Sequence, residues 1–433
     1  MWLYVLGVAV FALGLLASIA LHELGHLSFA KLFGVKVTQY MVGFGPTVWS
    51  RKRGETEYGV KAIPLGGYIR MIGMIPPRAD GRRSRWPRRL ALAVEDFRAT
   101  SRTEVLSAAD EPRQFYLLSP GKKMLIMLGG PVMNFVIFLV LSAILLLAIG
   151  TQVQDPPTTT VAKVSSCLVP AGVAASTKDP CPAGSLPAPA QGKLRDGDVI
   201  TAIDGTPVTS WDQESSLIRG AAGRPLTITV RRDGATTDVT VTPTPIKATV
   251  DGRTQTVGQI GFYPLAPVYF HRSSVTELPG QIGSQIGQGF AALGQLPSKI
   301  SNLMGTVFEG KARDPNGAVG VVGLARIGGE VSSSSAFDLQ EKTAILISLL
   351  AGLNLLLFLF NLLPLLPLDG GHVAGALVEA VRRGWGRLRK RPWAGHVDTA
   401  QMLPVMYGVA SVLLVFTLLV VYADIVKPIT LSN

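Results

Sequence analysis

Four stretches of the chain are almost unbroken in apolar residues, at 2–21, 124–149, 344–363 and 403–426. Each is near the ~20 residues that carry a helix across a hydrocarbon core, which predicts four membrane-spanning helices. Between the first two, "VTQYMVGFGPTVWS" and "TEYGVKAIPLGGYIRM" are rich in β-branched and aromatic residues and flank the polar "RKRGE". That spelling predicts a β-hairpin with its turn near Gly54. Its apolar content leaves two placements open. It is either a small hairpin in water or an element dipping into the bilayer, where non-helical backbone survives only against protein or a wet cavity. Past the second span, strands bracketed by turn residues run over about 161–244, with "RRDG" as a hairpin turn. A compact β-rich domain is expected there. A Gly/Ser-rich connector follows, with amphipathic pieces such as "FAALGQLPSKISNLMGTVF" that either lie on the membrane surface or pack loosely.

Composition agrees with a membrane protein: of 433 residues, 48% are hydrophobic and only 16% charged. Ser18 and Ala20 loosely fit a leader cleavage site, but no basic residue precedes the first apolar run, so that run is read as a retained helix. The net charge of +12 raises nucleic acid as a partner, and its distribution answers otherwise. Residues 31–123 hold 18 Lys/Arg against 8 Asp/Glu, residues 151–343 hold 16 of each, and "VRRGWGRLRKRPW" adds six basic residues. Two basic loops separated by a neutral segment follow the positive-inside rule, so the basic loops are expected in the cytoplasm and both termini with the central segment outside. The cluster "RADGRRSRWPRR" suits anionic lipid, and no DNA-binding motif accompanies it.

These readings divide the chain. A first span covers 1–30, and a cytoplasmic segment covers 31–121 with the hairpin at about 37–72. The second span is 122–150, the extracytoplasmic β-rich domain 151–250 and the connector 251–343. The third span is 344–372, followed by a basic cytoplasmic loop at 373–402 and the fourth span at 403–427. Cys167 and Cys181 both fall outside the cytoplasm, which favours a disulfide over two free thiols. Closing such a loop stabilises by roughly 3 kcal/mol in the chain-entropy model.

Ionisable residues are costly at the border of a spanning helix, yet "HELGH" stands where the first apolar run ends. If the helix continues, His22 and His26 share one face a turn apart, with Glu23 beside them, the H-E-x-x-H pattern of a zinc site with a general base. A solvated helix end is the plainer alternative. Catalytic zinc takes three protein ligands and leaves a fourth position for water, so one ligand is missing. "NLLPLLPLDGGH" at the end of the third span offers His372 and Asp369, and the charge-derived topology puts it at the same membrane depth as His22 and His26. Gly370 and Gly371 are read as turn formers, and Asp196 and Asp198 of "RDGD" as turn residues rather than catalytic carboxylates.

Together "HELGH", "GGPVMNF" entering the second span, "NLLPLLPLDGG" and "GKLRDGDVITAIDGTPV" between them resemble the site-2 protease family of intramembrane zinc metalloproteases. The closer likeness is to its regulator-of-sigma-E branch. The resemblance implies a polytopic α-helical membrane protein of four transmembrane helices, with a membrane-associated β-hairpin and an extracytoplasmic PDZ-like α+β domain, in the bacterial inner membrane. It implies Zn2+ on His22, His26 and Asp369, Glu23 as base, and Asn361 holding substrate or oxyanion. A capping or packing role remains open for Asn361. Gly43, Phe44 and Gly45 of "GFGP" and Gly66 and Gly67 of "PLGGY" are implied to meet an extended substrate. Single-span proteins such as anti-sigma factors, trimmed first by another protease outside, are the implied substrates. One "GD.I..IDG" signature stands where many members carry two, and the Pro/Ala-rich insertion around the cysteines is atypical. A membrane-anchored PDZ adaptor with an inert metal site is the main rival, although an adaptor needs no Glu23. A metal transporter would spread polar groups along a path rather than gather them at one depth.

Overall fold

The computed structural model describes residues 1–77, 86–102, 107–169, 181–250, 253–311, 313–314, 316–390 and 396–429. Most of "RADGRRSRWPRR" lies outside the described residues. The chain forms two units, one of Met1–Gly150 with Arg272–Leu431, the other of Thr151–His271.

In the first unit, α1 (Trp2–Leu32) continues well past the apolar run, so the "HELGH" segment is helical throughout. Strands β1 (Val37–Arg53) and β2 (Thr56–Met71) turn at Gly54, as the sequence predicts, but they are long and do not form a simple hairpin. Residues 50–53 pair antiparallel with 56–59, whose segment also runs alongside 39–42, and 39–42 in turn pair antiparallel with 67–70. The ribbon thus doubles into four short runs. Gly43, Gly45 and Gly66 supply the positive φ that the folding-back demands. Arg113–Glu55 and Lys36–Asp110 ion pairs, at 2.7 and 2.8 Å, fasten its base.

Helix α2 (Arg88–Arg102) precedes α3 (Pro120–Ala143), whose last turns widen into a π-helix at Ile144–Ile149 and complete the second span. Helix α3 lies against α1, where the Gly25 and Gly129 backbones approach so closely that a Cβ on either would collide with the other.

The second unit contains α4 (Trp211–Gly220) and many short strands. They are β3 (Thr151–Gln154), β4 (Val161–Val164), β5 (Cys167–Leu168), β6 (Leu186–Pro187), β7 (Val199–Ile203) and β8 (Thr206–Pro207). Then come β9 (Leu226–Arg232), β10 (Ala235–Val241), β11 (Thr244–Val250), β12 (Arg253–Gln259), β13 (Phe262–Pro264) and β14 (Val268–His271). The main sheet has the order β10-β9-β7-β8, and β14 pairs with β3 where the unit begins and ends. The unit therefore closes at His271, twenty-one residues beyond the boundary expected at 250, because β12, β13 and β14 belong to it. Asp233 and Gly234 at φ 50° and 83° make the expected "RRDG" turn. Cys167 and Cys181 are joined as a disulfide. Asp198 is buried and bound by Arg232 at 2.7 Å, and Asp196 accepts from the Val164 N–H, so both are structural.

The connector is helical in α5 (Leu278–Gly294), α6 (Leu296–Phe308) and α7 (Val321–Ser333). The third span, α8 (Leu339–Asn361), starts at an Asp338–Glu341 capping box. Asp369 does not end this helix. Pro364 and Pro367 break it, and Asp369 opens a new one, α9 (Asp369–Leu388), so much of the expected basic loop is ordered helix. Gly370 and Gly371 are helical rather than turn formers; each admits the preceding loop so closely that a Cβ would strike its backbone. The fourth span contains α10 (Leu403–Val426), whose Asp424 accepts from the Gly320 and Gly323 N–H groups at 2.9 and 3.0 Å and so caps α7.

Glu214 of α4 is fully buried in the second unit, and neither carboxylate oxygen finds a partner among the described residues. Burial pushes its pKa from the ordinary 4.5 up to about 8. The folded unit then holds a proton that the unfolded chain releases above pH 4.5, so stability falls as pH rises from about 4.5 toward 8. Glu214→Gln removes that loss: thermal unfolding of this unit at pH 7 should rise by roughly 5 °C or more, and the gain should vanish near pH 4.

Candidate metal centre

Helical spacing puts His22 and His26 on one face of α1, with their Nε2 atoms 3.2 Å apart. Asp369, in the first turn of α9, brings Oδ2 to 3.3 Å from His22 Nε2 and 3.4 Å from His26 Nε2. The three atoms form a nearly equilateral triangle. A point equidistant from corners this far apart lies about 1.9 Å from each, just inside zinc's ~2.0–2.2 Å bonds to nitrogen and carboxylate oxygen. Donor atoms at this spacing would hold a zinc ion by three protein groups, the number a catalytic site uses when its fourth ligand is water. Imidazole and carboxylate are the donor types catalytic zinc takes, so the residues fit the metal.

Several ties hold these groups. His26 Nδ1 lies 2.7 Å from the Ile126 carbonyl of α3, and His22 Nδ1 lies 3.1 Å from the Asn134 amide of the same helix. Asn354 of α8 donates to Ser18 Oγ at 2.9 Å, one turn before His22. Helix α9 is anchored from within by Glu379, whose carboxylate lies 2.8 Å from Lys123 of α3 and 3.3 Å from His396 Nδ1. Both members of the Lys123–Glu379 pair are buried, so removing one would strand the other.

Glu23 is buried beside the ligands. Gly67 of β2 is there too: a Cβ on it would come within 2.8 Å of Glu23 Cγ. The folded-back ribbon thus reaches the site through its "PLGGY" segment. Phe44 covers Gly66 closely enough to exclude a side chain, and Gly43 lies against the Ile63 carbonyl. Asn361, at the last position of α8, is half-buried and makes no side-chain hydrogen bond to any described residue. His372 is not in the ligand triangle.

Two residues that sequence reasoning assigned no role stand at the centre. Gly130 faces both ligating nitrogens, and a Cβ there would collide with His26 Nε2 and come within 2.6 Å of His22 Nε2. Asn134 touches His22. Both lie in "GGPVMNF", a motif whose unexpected glycine pair and lone amide in an apolar helix were the available signal.

Two imidazoles, a carboxylate and a neighbouring glutamate, held among membrane-spanning helices, define a membrane-embedded metallopeptidase type of centre. The profile of peptidase family M50 matches residues 10–405. The chain is 35% identical to the zinc metalloprotease Rip1 of Mycobacterium tuberculosis, covering 99% of both chains. It is 28% identical to the zinc metalloprotease RasP of Geobacillus kaustophilus, over 84% of this chain and 87% of that one. It is also 24% identical to the regulator of sigma-W protease RasP of Bacillus subtilis, over 83% and 87% of the two chains. The chain belongs to peptidase family M50, the site-2 proteases, as the resemblance implied.

The Gly130 contact has a direct consequence. Gly130→Ala should lower zinc retained after dialysis by tenfold or more, while Gly121→Ala, whose Cβ would meet nothing within 4 Å, should retain it fully. Metal analysis of the purified variants decides the point.

Proposed function

We propose that this chain is an intramembrane zinc metallopeptidase that hydrolyses peptide bonds in the spanning segments of single-span proteins during regulated intramembrane proteolysis. The observation that carries this reading is the convergence of His22 and His26, on an apolar helix long enough to span a membrane, with Asp369 beside Glu23. Anti-sigma factors or similar regulators, trimmed first by an extracytoplasmic protease, are the proposed substrates. The relative named as a regulator of sigma-W protease supports that class. The protein sits in the bacterial inner membrane as a multi-pass protein, with both termini and the PDZ-like second unit extracytoplasmic, on the strength of the basic-loop asymmetry.

His22, His26 and Asp369 would hold the zinc. When bound, it supplies a Lewis acid for the scissile carbonyl and brings the pKa of a water toward ~7. Glu23 takes that water's proton and returns it to the leaving amine. Asn361 donates to the developing oxyanion or to the substrate backbone, its amide having no hydrogen-bond partner among the described residues. A helical substrate hides its peptide bonds, and local unwinding must precede attack. The ribbon carrying Gly43, Phe44, Gly45, Gly66 and Gly67 compensates by offering an edge to the unwound strand. Phe44, Val48, Trp49 and Ile63 are exposed on it, which supports its dipping into the bilayer.

Membrane lipid is a second partner. Leu377, Val381, Trp385 and Leu388 form an exposed stripe on α9, flanked by Arg382, Arg387 and Arg389, the composition of a helix lying at an anionic surface. In the second unit, Trp211, Ile218, Ile246, Val257 and Phe262 line a groove of about 230 Å³ between α4 and β11–β13, suited to an extended peptide or its terminal carboxylate.

Glu23→Gln should keep its zinc and cleave a purified single-span substrate at least about 100-fold more slowly than wild type. Equal cleavage by the two proteins would refute the peptidase reading. Prolines at the free ribbon edges, Val48→Pro or Tyr68→Pro, should cut turnover about tenfold with zinc retained. Unchanged turnover in both would remove the ribbon from the mechanism.

A further inference from the structure

Asn134 is 1% exposed on α3, and its amide nitrogen faces His22 Nδ1 at 3.1 Å. Its carbonyl oxygen is buried with no partner among the described residues. The two ligating histidines are thus held differently. His26 Nδ1 meets a backbone carbonyl at 2.7 Å, an acceptor whatever else changes. His22 Nδ1 meets a side-chain amide, which presents a donor or an acceptor depending on which way it is turned.

That difference matters because ligation through Nε2 dictates the tautomer that His22 requires. His22 Nε2 lies 3.3 Å from the Asp369 carboxylate, on the side where an ion would sit, while Nδ1 faces the Asn134 amide nitrogen. A neutral imidazole that ligates through Nε2 carries its proton on Nδ1 and must donate it. Two donors cannot face each other in a dry contact. A half-turn of the Asn134 amide brings Oδ1 to that proton, and the buried oxygen gains the partner it lacks. Amide oxygen and nitrogen have nearly the same shape, so the turn needs no repacking.

We infer that Asn134 is a positioning residue for the metal centre. Its amide, turned so that Oδ1 faces His22, accepts from His22 Nδ1 and fixes the ring with Nε2 free to ligate zinc. This rests on the zinc-site reading above and adds a residue outside the H-E-x-x-H segment and the Asp369 loop.

The test is zinc affinity, measured by chelator competition on full-length protein in detergent, with the visible spectrum of the cobalt-substituted protein as a second readout. Asn134→Leu, similar in size but unable to accept, should bind zinc 10–100-fold more weakly and show an altered cobalt spectrum. Asn134→Asp, which can only accept, should bind zinc as tightly as wild type or more tightly, with the wild-type spectrum. If the Leu variant does not fold, the Asp variant decides: a tenfold loss there would mean that the zinc-bound state needs a donor, contrary to the inference. Wild-type affinity and spectrum in a folded Leu variant would equally overturn it. Wild-type protein that binds no zinc would overturn the metal centre and this role together.

Discussion

A carboxylate and two imidazoles brought together beside apolar helices face a large desolvation cost, and the rest of the membrane unit is organised around offsetting it. One cation shared among His22, His26 and Asp369 would compensate for it, because it would satisfy all three at once. Each ligand also needs its other side occupied. The Ile126 carbonyl and the Asn134 amide provide polar neighbours for the two histidines where lipid offers none.

Backbone proximity is the second requirement. Gly25, Gly129 and Gly130 bring α1 and α3 within touching distance at the metal, and Gly67 brings the β-ribbon to Glu23. Gly370 and Gly371 do the same for the loop entering α9. All of these are positions where a methyl group would displace chemistry rather than merely crowd a core. Close backbone approach is not confined to this region, since Gly7 of α1 meets Gly328 of α7 as tightly at the other end of the helix.

The features legible in the sequence are those that local physics encodes. Apolar length marked the spans, the helical period placed His22 against His26, and Gly54 and Asp233–Gly234 announced their turns. The "HELGH" and "PLDGG" segments were readable because charge in an apolar setting is conspicuous. What escaped depends on partners distant in the chain. The ribbon's doubling rests on β1 pairing with two separate parts of β2, which no alternation pattern reports. Helix α9 was masked because its arginines suggested a loop, while its buried face is fixed by Lys123, 256 residues earlier. Strands as short as Phe262–Pro264 carry too little pattern to move a domain boundary. Asn134 reaches His22 across 112 residues, and a single polar position has no period.

Asp369 stands at the start of a helix, after a proline-broken link, rather than at the end of the third span. The proposed centre is thus assembled from two rods, α1 and α9, and an ion held between them would act as a crosslink as well as a reagent. At its middle α9 is fastened independently of that joint, by Glu379 to Lys123 and His396, so the rod that carries Asp369 has a second support away from the centre.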